Sequence, residues 1–181
     1  MPHINLPDGF PGITAGFAFR PETAKPMRKL AEVLLRGPNT LTSGEREMIA
    51  AVVSSRNDCQ FCQLSHSAAA AHQLSGDYDL VSAVTRDYLT APIPAKLKAL
   101  LSIAAKVPQG GKAVTSRDVE RAKAEGATDT EIHDTVLIAA AFCMFNRYVD
   151  GLAMMTPADP QDYDAMGQRM ARSGYLTPAR A

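Results

Sequence analysis

The sequence has no excess of either charge and no long apolar run, and these two absences exclude several classes of protein. Lysine plus arginine and aspartate plus glutamate both number 19, so the formal net charge is zero. A neutral chain of this kind does not predict binding to nucleic acid or to an anionic membrane. The most apolar stretch, residues 136–145, is too short to span a bilayer and predicts a buried helix.

Cysteines are few, and the N-terminal segment has no sign of a secretory signal. The segment MPHINLPDGF lacks a basic run followed by an apolar one, so we expect a cytoplasmic protein. The three cysteines are Cys59, Cys62 and Cys143. An odd number of cysteines does not indicate a disulfide framework. Two of them lie three positions apart, which in a reducing compartment favours redox or metal chemistry.

The composition predicts one folded domain. Apolar residues make up 46% and charged residues 21% of the 181 positions, a balance typical of globular proteins. A chain of this length suits one core, and no linker divides it, so we predict a single domain over residues 1–181. Residues 1–22 are rich in proline and glycine and predict an extended arm. Residues 160–176 predict a closing polar helix.

Helix signals dominate the chain between these two ends, whereas strand signals are weak. Pro26 is suited to the first position of a helix. Thr42 and Thr128 are each followed by a glutamate three residues later, which is a capping box. Asp58 is a good N-cap for the helix that carries the paired cysteines. We therefore predict a compact all-α fold of seven or eight helices with short connections.

One spacing occurs twice in the sequence. Glu47 precedes Cys59 by twelve positions, and Glu131 precedes Cys143 by twelve. The repeat is compatible with a duplicated helical hairpin and equally with coincidence. Asn146 stands where a second dithiol would need its second cysteine, so only the first copy carries two thiols.

The chemistry is concentrated in the segment DCQFCQLSH, residues 58–66. On a helix, Cys59 and Cys62 are neighbours at i,i+3, and Cys62 and His66 are neighbours at i,i+4, so all three share one face. Free N–H groups at a helix start stabilise a thiolate, and the histidine can accept the thiol proton. A thiolate beside a second thiol is what peroxide reduction needs, because the sulfenic acid formed can condense to a disulfide.

The same residues leave other functions open. A zinc-binding module would need a fourth ligand such as His72 or Glu47, and the chain has no second CxxC. Cys59 and Cys62 are also compatible with a non-enzymatic redox sensor, or with two buried cysteines that have no chemical role. A c-type haem is excluded, because Gln63 follows Cys62 where the attachment motif has histidine. Cys143 lies among apolar residues and is interpreted as a core residue. We expect no metal and no cofactor.

The spacing also resembles a known family. The pattern consists of Glu47, eleven further residues, and then Cys59-x-x-Cys62-x-x-x-His66. It is similar to the pattern of the alkylhydroperoxidase D-like branch of the carboxymuconolactone decarboxylase family. The resemblance implies an all-helical fold of that type and assembly into trimers or hexamers. It implies a peroxidase in which Cys62 attacks the peroxide, Cys59 resolves the sulfenic acid, and Glu47 with His66 forms a proton relay.

The resemblance extends over roughly residues 20–176. Residues 142–147 and 174–175 are similar to the subgroup called uncharacterised peroxidase-related enzymes. The reductant that this implies is a dithiol, a lipoyl-bearing or thioredoxin-like protein. Phe61 is a departure, because alkylhydroperoxidase D proper has a histidine immediately before its second cysteine. A carboxymuconolactone decarboxylase-like activity is the alternative, although that branch lacks the dithiol.

Overall fold

Helices are the only regular elements in residues 1–177, the part of the chain that this computed structural model describes. The predicted all-α fold is therefore confirmed; residues 178–181 of the predicted domain lie outside the described residues. No helix in this range has both the length and the apolar composition that crossing a bilayer requires. The α-helices are α1 (Ile13–Phe19), α2 (Pro21–Arg36), α3 (Ser43–Arg56), α4 (Gln60–Gln73), α5 (Tyr78–Asp87), α6 (Ala95–Ala104), α7 (Ser116–Ala124), α8 (Asp129–Gly151) and α9 (Pro160–Ser173).

The third helix, α3, lies at the centre of the core. Every residue from Arg46 to Ser54 is buried, and α3 contacts α2, α4, α5, α6 and α8. A helix that is enclosed on all sides has no face directed to solvent. The Thr42–Glu45 capping box is present at its start, as the sequence predicts, and satisfies two backbone N–H groups there. Any polar side chain inside this helix must therefore find its partners within the protein.

The last helix, α9, packs tightly against α4. At Gly167 a side-chain carbon would lie 2.5 Å from the Ala68 carbonyl carbon and 2.5 Å from the Ala68 Cβ. Small residues on both helices allow this close approach, since residues 68–71 of α4 are all alanine and all buried. Tyr175, which follows α9, is thereby held against Glu32 of α2 and Glu47 of α3.

The N-terminal part differs from the prediction in two respects. Residues 1–22 do not form an extended arm throughout, because α1 occupies Ile13–Phe19 and contacts α2 and α8. The next helix begins at Pro21 and not at Pro26, which lies inside α2. Both prolines suit a first turn, and the earlier one takes that role. Pro26 is exposed, so its ring and its missing N–H are accommodated on the solvent face.

Two further predictions are corrected. The closing helix ends at Ser173, and residues 174–176 continue as non-helical chain because Gly174 adopts a φ of 68°. The duplicated hairpin is not present: Glu131 and Cys143 lie on the single helix α8, whereas Glu47 lies on α3 and Cys59 on the turn before α4. Glu131 is the third residue of α8 and closes its capping box, which is the role of Glu45 in α3. Glu47 lies two residues beyond that position. The twelve-residue spacing is therefore a coincidence.

The α4–α9 contact predicts the effect of adding one methyl group. We expect Gly167→Ala to lower the free energy of unfolding by about 1–2 kcal/mol, because the clash with the Ala68 backbone exceeds the gain in helix propensity. For a chain of this size that corresponds to a fall in Tm of roughly 3–6 °C, measured by thermal denaturation. The matched control is Gly151→Ala at the end of α8, where the added carbon meets nothing within 4 Å. An equal Tm for the two variants would contradict the packing argument.

Candidate active site

A tight turn between α3 and α4 places the two cysteines. Asp58 has a φ of 58°, in the left-handed region that Asp tolerates better than most residues, and Cys59 is the N-cap of α4. The sequence predicts Asp58 as the cap, so the prediction is wrong by one residue. Asn57 fixes the turn, because its Nδ2 donates to Oδ1 of the buried Asn146 on α8 at 2.8 Å.

Cys59 and Cys62 are both buried, and both are free thiols. A hydrogen bond to the Cys62 sulfur, and after it burial, raises the pKa of the Cys59 thiol. The Cys59 thiol therefore keeps its proton near neutral pH. The raised pKa of Cys59 is opposite to the effect of helix-end electrostatics, which lower the pKa of the first cysteine of such a pair.

Glu47 meets His66 across the α3–α4 interface. The Glu47 side chain is only 1% exposed, and its Oε2 lies 2.7 Å from Nδ1 of His66. The sequence alone does not place Glu47 near the cysteine helix, because the geometry of the intervening turn decides it. The structure thus brings together all four predicted site residues: Glu47, Cys59, Cys62 and His66.

The imidazole of His66 is fixed by two aromatic rings. Phe142 of α8 presents its edge to the His66 ring at a centroid distance of 4.5 Å. The Tyr175 ring lies nearly parallel to the His66 ring, at a centroid distance of 6.1 Å and an interplanar angle of 14°. With Nδ1 bonded to Glu47, Nε2 is the nitrogen that remains available for proton exchange.

Tyr175 is a site residue that the sequence motif does not reveal. Its hydroxyl donates to Oε1 of Glu47 at 2.5 Å, so both carboxylate oxygens have partners. Its backbone N–H donates to Oε2 of Glu32 at 2.7 Å, directly after Gly174 turns the chain. Burial, and after it the charge of Glu47, raises the pKa of Tyr175 well above its usual value. The only sequence signal is the Gly-Tyr pair that follows a polar helix.

Other candidate ligands lie away from the dithiol. His72 bonds to Asp164 of α9 at 2.9 Å, and the Cys143 sulfur lies 3.5 Å from Nδ2 of Asn57. Among residues 1–177, no three His, Cys, Asp or Glu side chains are grouped so as to hold a metal ion. The zinc-binding alternative therefore lacks a ligand set in the described part of the chain.

A pocket opens above Cys62 and His66. Its cavity volume is about 80 Å³, and the space extends to about 750 Å³ when the solvent at its open mouth is included. Cys62 lines this pocket and Cys59 does not. The side chains of Phe61, Ser65 and Tyr175 also line it, as do residues of α1, α2, α8 and α9.

Comparison with known proteins identifies the family. A family model described as the carboxymuconolactone decarboxylase family matches residues 21–86. A crystal structure of an uncharacterized peroxidase-related protein from Silicibacter sp. TM1040 is 33% identical, with a TM-score of 0.76, over 87% of this chain and 80% of that chain. The chain belongs to the carboxymuconolactone decarboxylase family. The resemblance found in the sequence is therefore confirmed.

Two further structures support the alkylhydroperoxidase D-like fold within the carboxymuconolactone decarboxylase family. An alkylhydroperoxidase AhpD core, an uncharacterized peroxidase-related protein from Ralstonia eutropha JMP134, is 29% identical with a TM-score of 0.77, over 89% of this chain and 83% of that chain. A putative antioxidant defence protein AhpD from Agrobacterium tumefaciens is 18% identical with a TM-score of 0.68, over 88% and 100% respectively, and shows the fold alone. No curated protein matches the chain.

The raised pKa of Tyr175 predicts a loss of stability at alkaline pH. Below about pH 10 the phenol is protonated in both the folded and the unfolded protein, so its contribution to stability is complete. Above that pH only the unfolded chain releases the proton, and the free energy of unfolding falls by at most about 1.4 kcal/mol per pH unit from this group. We expect Tyr175→Phe to reduce the slope, measured by urea denaturation between pH 9 and 11. The same slope in both proteins would show that Tyr175 ionises normally.

Proposed function

We propose that this protein is a thiol peroxidase that reduces hydroperoxides with the Cys59–Cys62 dithiol. The observation that carries the proposal is the hydrogen bond between the buried Glu47 and the partly buried His66, one helical turn from a buried free cysteine that lines a pocket. Polar groups of this kind are costly to bury unless hydrogen bonds satisfy them, and they contribute nothing to packing that apolar residues would not supply. Their position beside a dithiol supports a role in moving protons.

The two cysteines have different roles in this proposal. Cys62 is the attacking thiol, since it lines the pocket with His66 whereas Cys59 does not. Cys59 is the resolving thiol, because its raised pKa keeps it protonated until the sulfenic acid has formed beside it. This assignment agrees with the roles that the family resemblance implies.

The reaction is balanced without a metal or cofactor. His66 takes the proton of the Cys62 thiol, the thiolate attacks the outer oxygen of ROOH so that the O–O bond breaks, and the leaving alkoxide takes that proton back from His66 to become ROH. The Cys59 thiol then attacks the sulfenic sulfur; an S–S bond forms and the hydroxyl leaves as water with the Cys59 proton. A dithiol reductant returns the disulfide to two thiols. Glu47 stabilises the imidazolium that carries the proton between steps.

Several finer features stay predictions. We predict that the reductant is a lipoyl-bearing or thioredoxin-like protein, that the protein acts in the cytoplasm, and that it forms a homo-oligomer, a trimer or a hexamer. The peroxidase proposal does not depend on any of the three, because the dithiol, its base and the pocket all lie within one chain.

Cysteine substitutions test the proposal. We expect Cys62→Ser to abolish reduction of hydrogen peroxide in the presence of a dithiol reductant. Cys59→Ser should stop turnover after one equivalent and accumulate a sulfenic acid on Cys62, trapped with dimedone and identified by mass spectrometry. The matched control is Cys143→Ser, which removes the third thiol, outside the pocket, and keeps a polar atom beside Asn57; it should retain most of the wild-type turnover. Undiminished turnover by Cys62→Ser would refute the proposal.

The relay is tested at Glu47. We expect Glu47→Gln to lower the rate of peroxide reduction roughly 100-fold or more, because the imidazolium loses the carboxylate that stabilises it. The matched control is Glu131→Gln, which neutralises another glutamate that is 1% exposed but lies with Lys96 and Thr40 away from the dithiol. Rates are measured below the unfolding transition of both variants. Equal losses in the two variants would indicate a general effect of removing a buried charge.

A further inference from the structure

The pocket above Cys62 combines apolar walls with two arginines. Its aromatic and sulfur-containing side chains come from α1, α2, α4, α8 and α9. They include Phe17, Met27, Phe61, Phe142, Phe145 and Met166. Arg28 of α2 and Arg169 of α9 line the same pocket and are its only arginines among residues 1–177.

Neither arginine has an acidic partner in the described structure. No carboxylate of residues 1–177 lies within 4.0 Å of the guanidinium of Arg28 or Arg169, and neither guanidinium makes a hydrogen bond there. By contrast, Arg36 and Arg46 donate to backbone carbonyl groups at 2.8 Å and 3.0 Å. The donors of the pocket pair are therefore available to a ligand.

Arg28 is held at the pocket wall, near enough to Arg169 to be affected by its positive charge. The Arg28 guanidinium carbon lies 5.0 Å from the centre of the Phe17 ring, which holds it at the pocket wall. Burial, and after it the positive charge of Arg169, lowers the pKa of Arg28. Two like charges beside an apolar surface repel each other, and an anion between them would relieve that repulsion.

We propose that the pocket binds organic hydroperoxides that have an apolar body and a carboxylate, with the carboxylate at Arg28 and Arg169 and the hydroperoxide at Cys62. Guanidinium groups bind carboxylates with paired, charge-assisted hydrogen bonds, and the apolar walls fit a hydrocarbon body. This inference rests on the proposed peroxidase function and adds its substrate class. The reaction is unchanged: the acid hydroperoxide and the dithiol give the corresponding alcohol, water and the disulfide.

Matched substrates test the inference. The probes are 4-carboxycumene hydroperoxide and linoleic acid hydroperoxide, each compared with its methyl ester, which keeps the body and removes the charge. We expect the wild type to have a KM for the acid roughly tenfold or more below that for the ester in at least one pair, as a charge-assisted hydrogen bond permits. Equal KM values within both pairs would overturn the inference.

Arginine variants locate the effect. We expect Arg28→Gln and Arg169→Gln each to bring the ratio of ester KM to acid KM close to one, with a smaller effect on the ester itself. The matched control is Arg172→Gln, three residues further along α9 on an exposed position outside the pocket, which should keep the wild-type ratio. A ratio that survives in both pocket variants would also overturn the inference.

A binding measurement separates this inference from the peroxidase proposal. Calorimetric titration uses 4-isopropylbenzoate, which has the carboxylate and the apolar ring but no peroxide, and its methyl ester. Binding of the acid that is lost in Arg28→Gln and retained in Arg172→Gln supports the anion site even when no peroxide is reduced. Reduction of hydrogen peroxide without preferential binding of the acid leaves the peroxidase proposal intact and refutes the carboxylate site.

Discussion

The burial of the Glu47 carboxylate is the constraint on which the arrangement of the site depends. An ionised carboxylate inside a protein is costly unless hydrogen-bond donors surround it, and α3 is enclosed by five other helices. One oxygen bonds to His66 of α4 and the other to Tyr175, which follows α9. The carboxylate thus links three parts of the chain that are distant in sequence. The close contact at Gly167 and the turn at Gly174 serve this arrangement, because they bring Tyr175 to the carboxylate.

The sequence predicts the local part of the site well and the long-range part poorly. Cys62 and His66 lie one turn apart on α4, as helical periodicity predicts from neighbouring residues alone, whereas Cys59 is the N-cap before that helix and does not line the pocket. Glu47 is recognised through family resemblance, since its approach to His66 depends on the turn at Asp58. Tyr175 is assigned no role by the sequence, because its contact with Glu47 spans 128 positions and depends on the packing of α9.

The same distinction applies to the fold. Capping boxes at Thr42 and Thr128 mark the starts of α3 and α8 correctly, since a capping box is complete within four residues. The short helix α1 was missed, because its Gly- and Pro-rich surroundings favour an extended chain and its stability comes from packing on α2 and α8. The repeated glutamate–cysteine spacing was misleading for a related reason. Equal sequence separations do not distinguish a helix–turn–helix from one long helix.

The arginines of the pocket and the relay belong to one electrostatic system. The positive charges of Arg36 and Arg169 lower the pKa of Tyr175, against the larger effects of burial and of Glu47, which raise it. In the substrate complex that we propose, a carboxylate at Arg169 offsets part of that positive charge. Tyr175 then holds its proton more firmly and remains a donor to Glu47 while His66 exchanges protons with the peroxide. Because its pKa is already raised well above 10, the Tyr175 phenol stays a donor to Glu47 at neutral pH whether or not the pocket is filled.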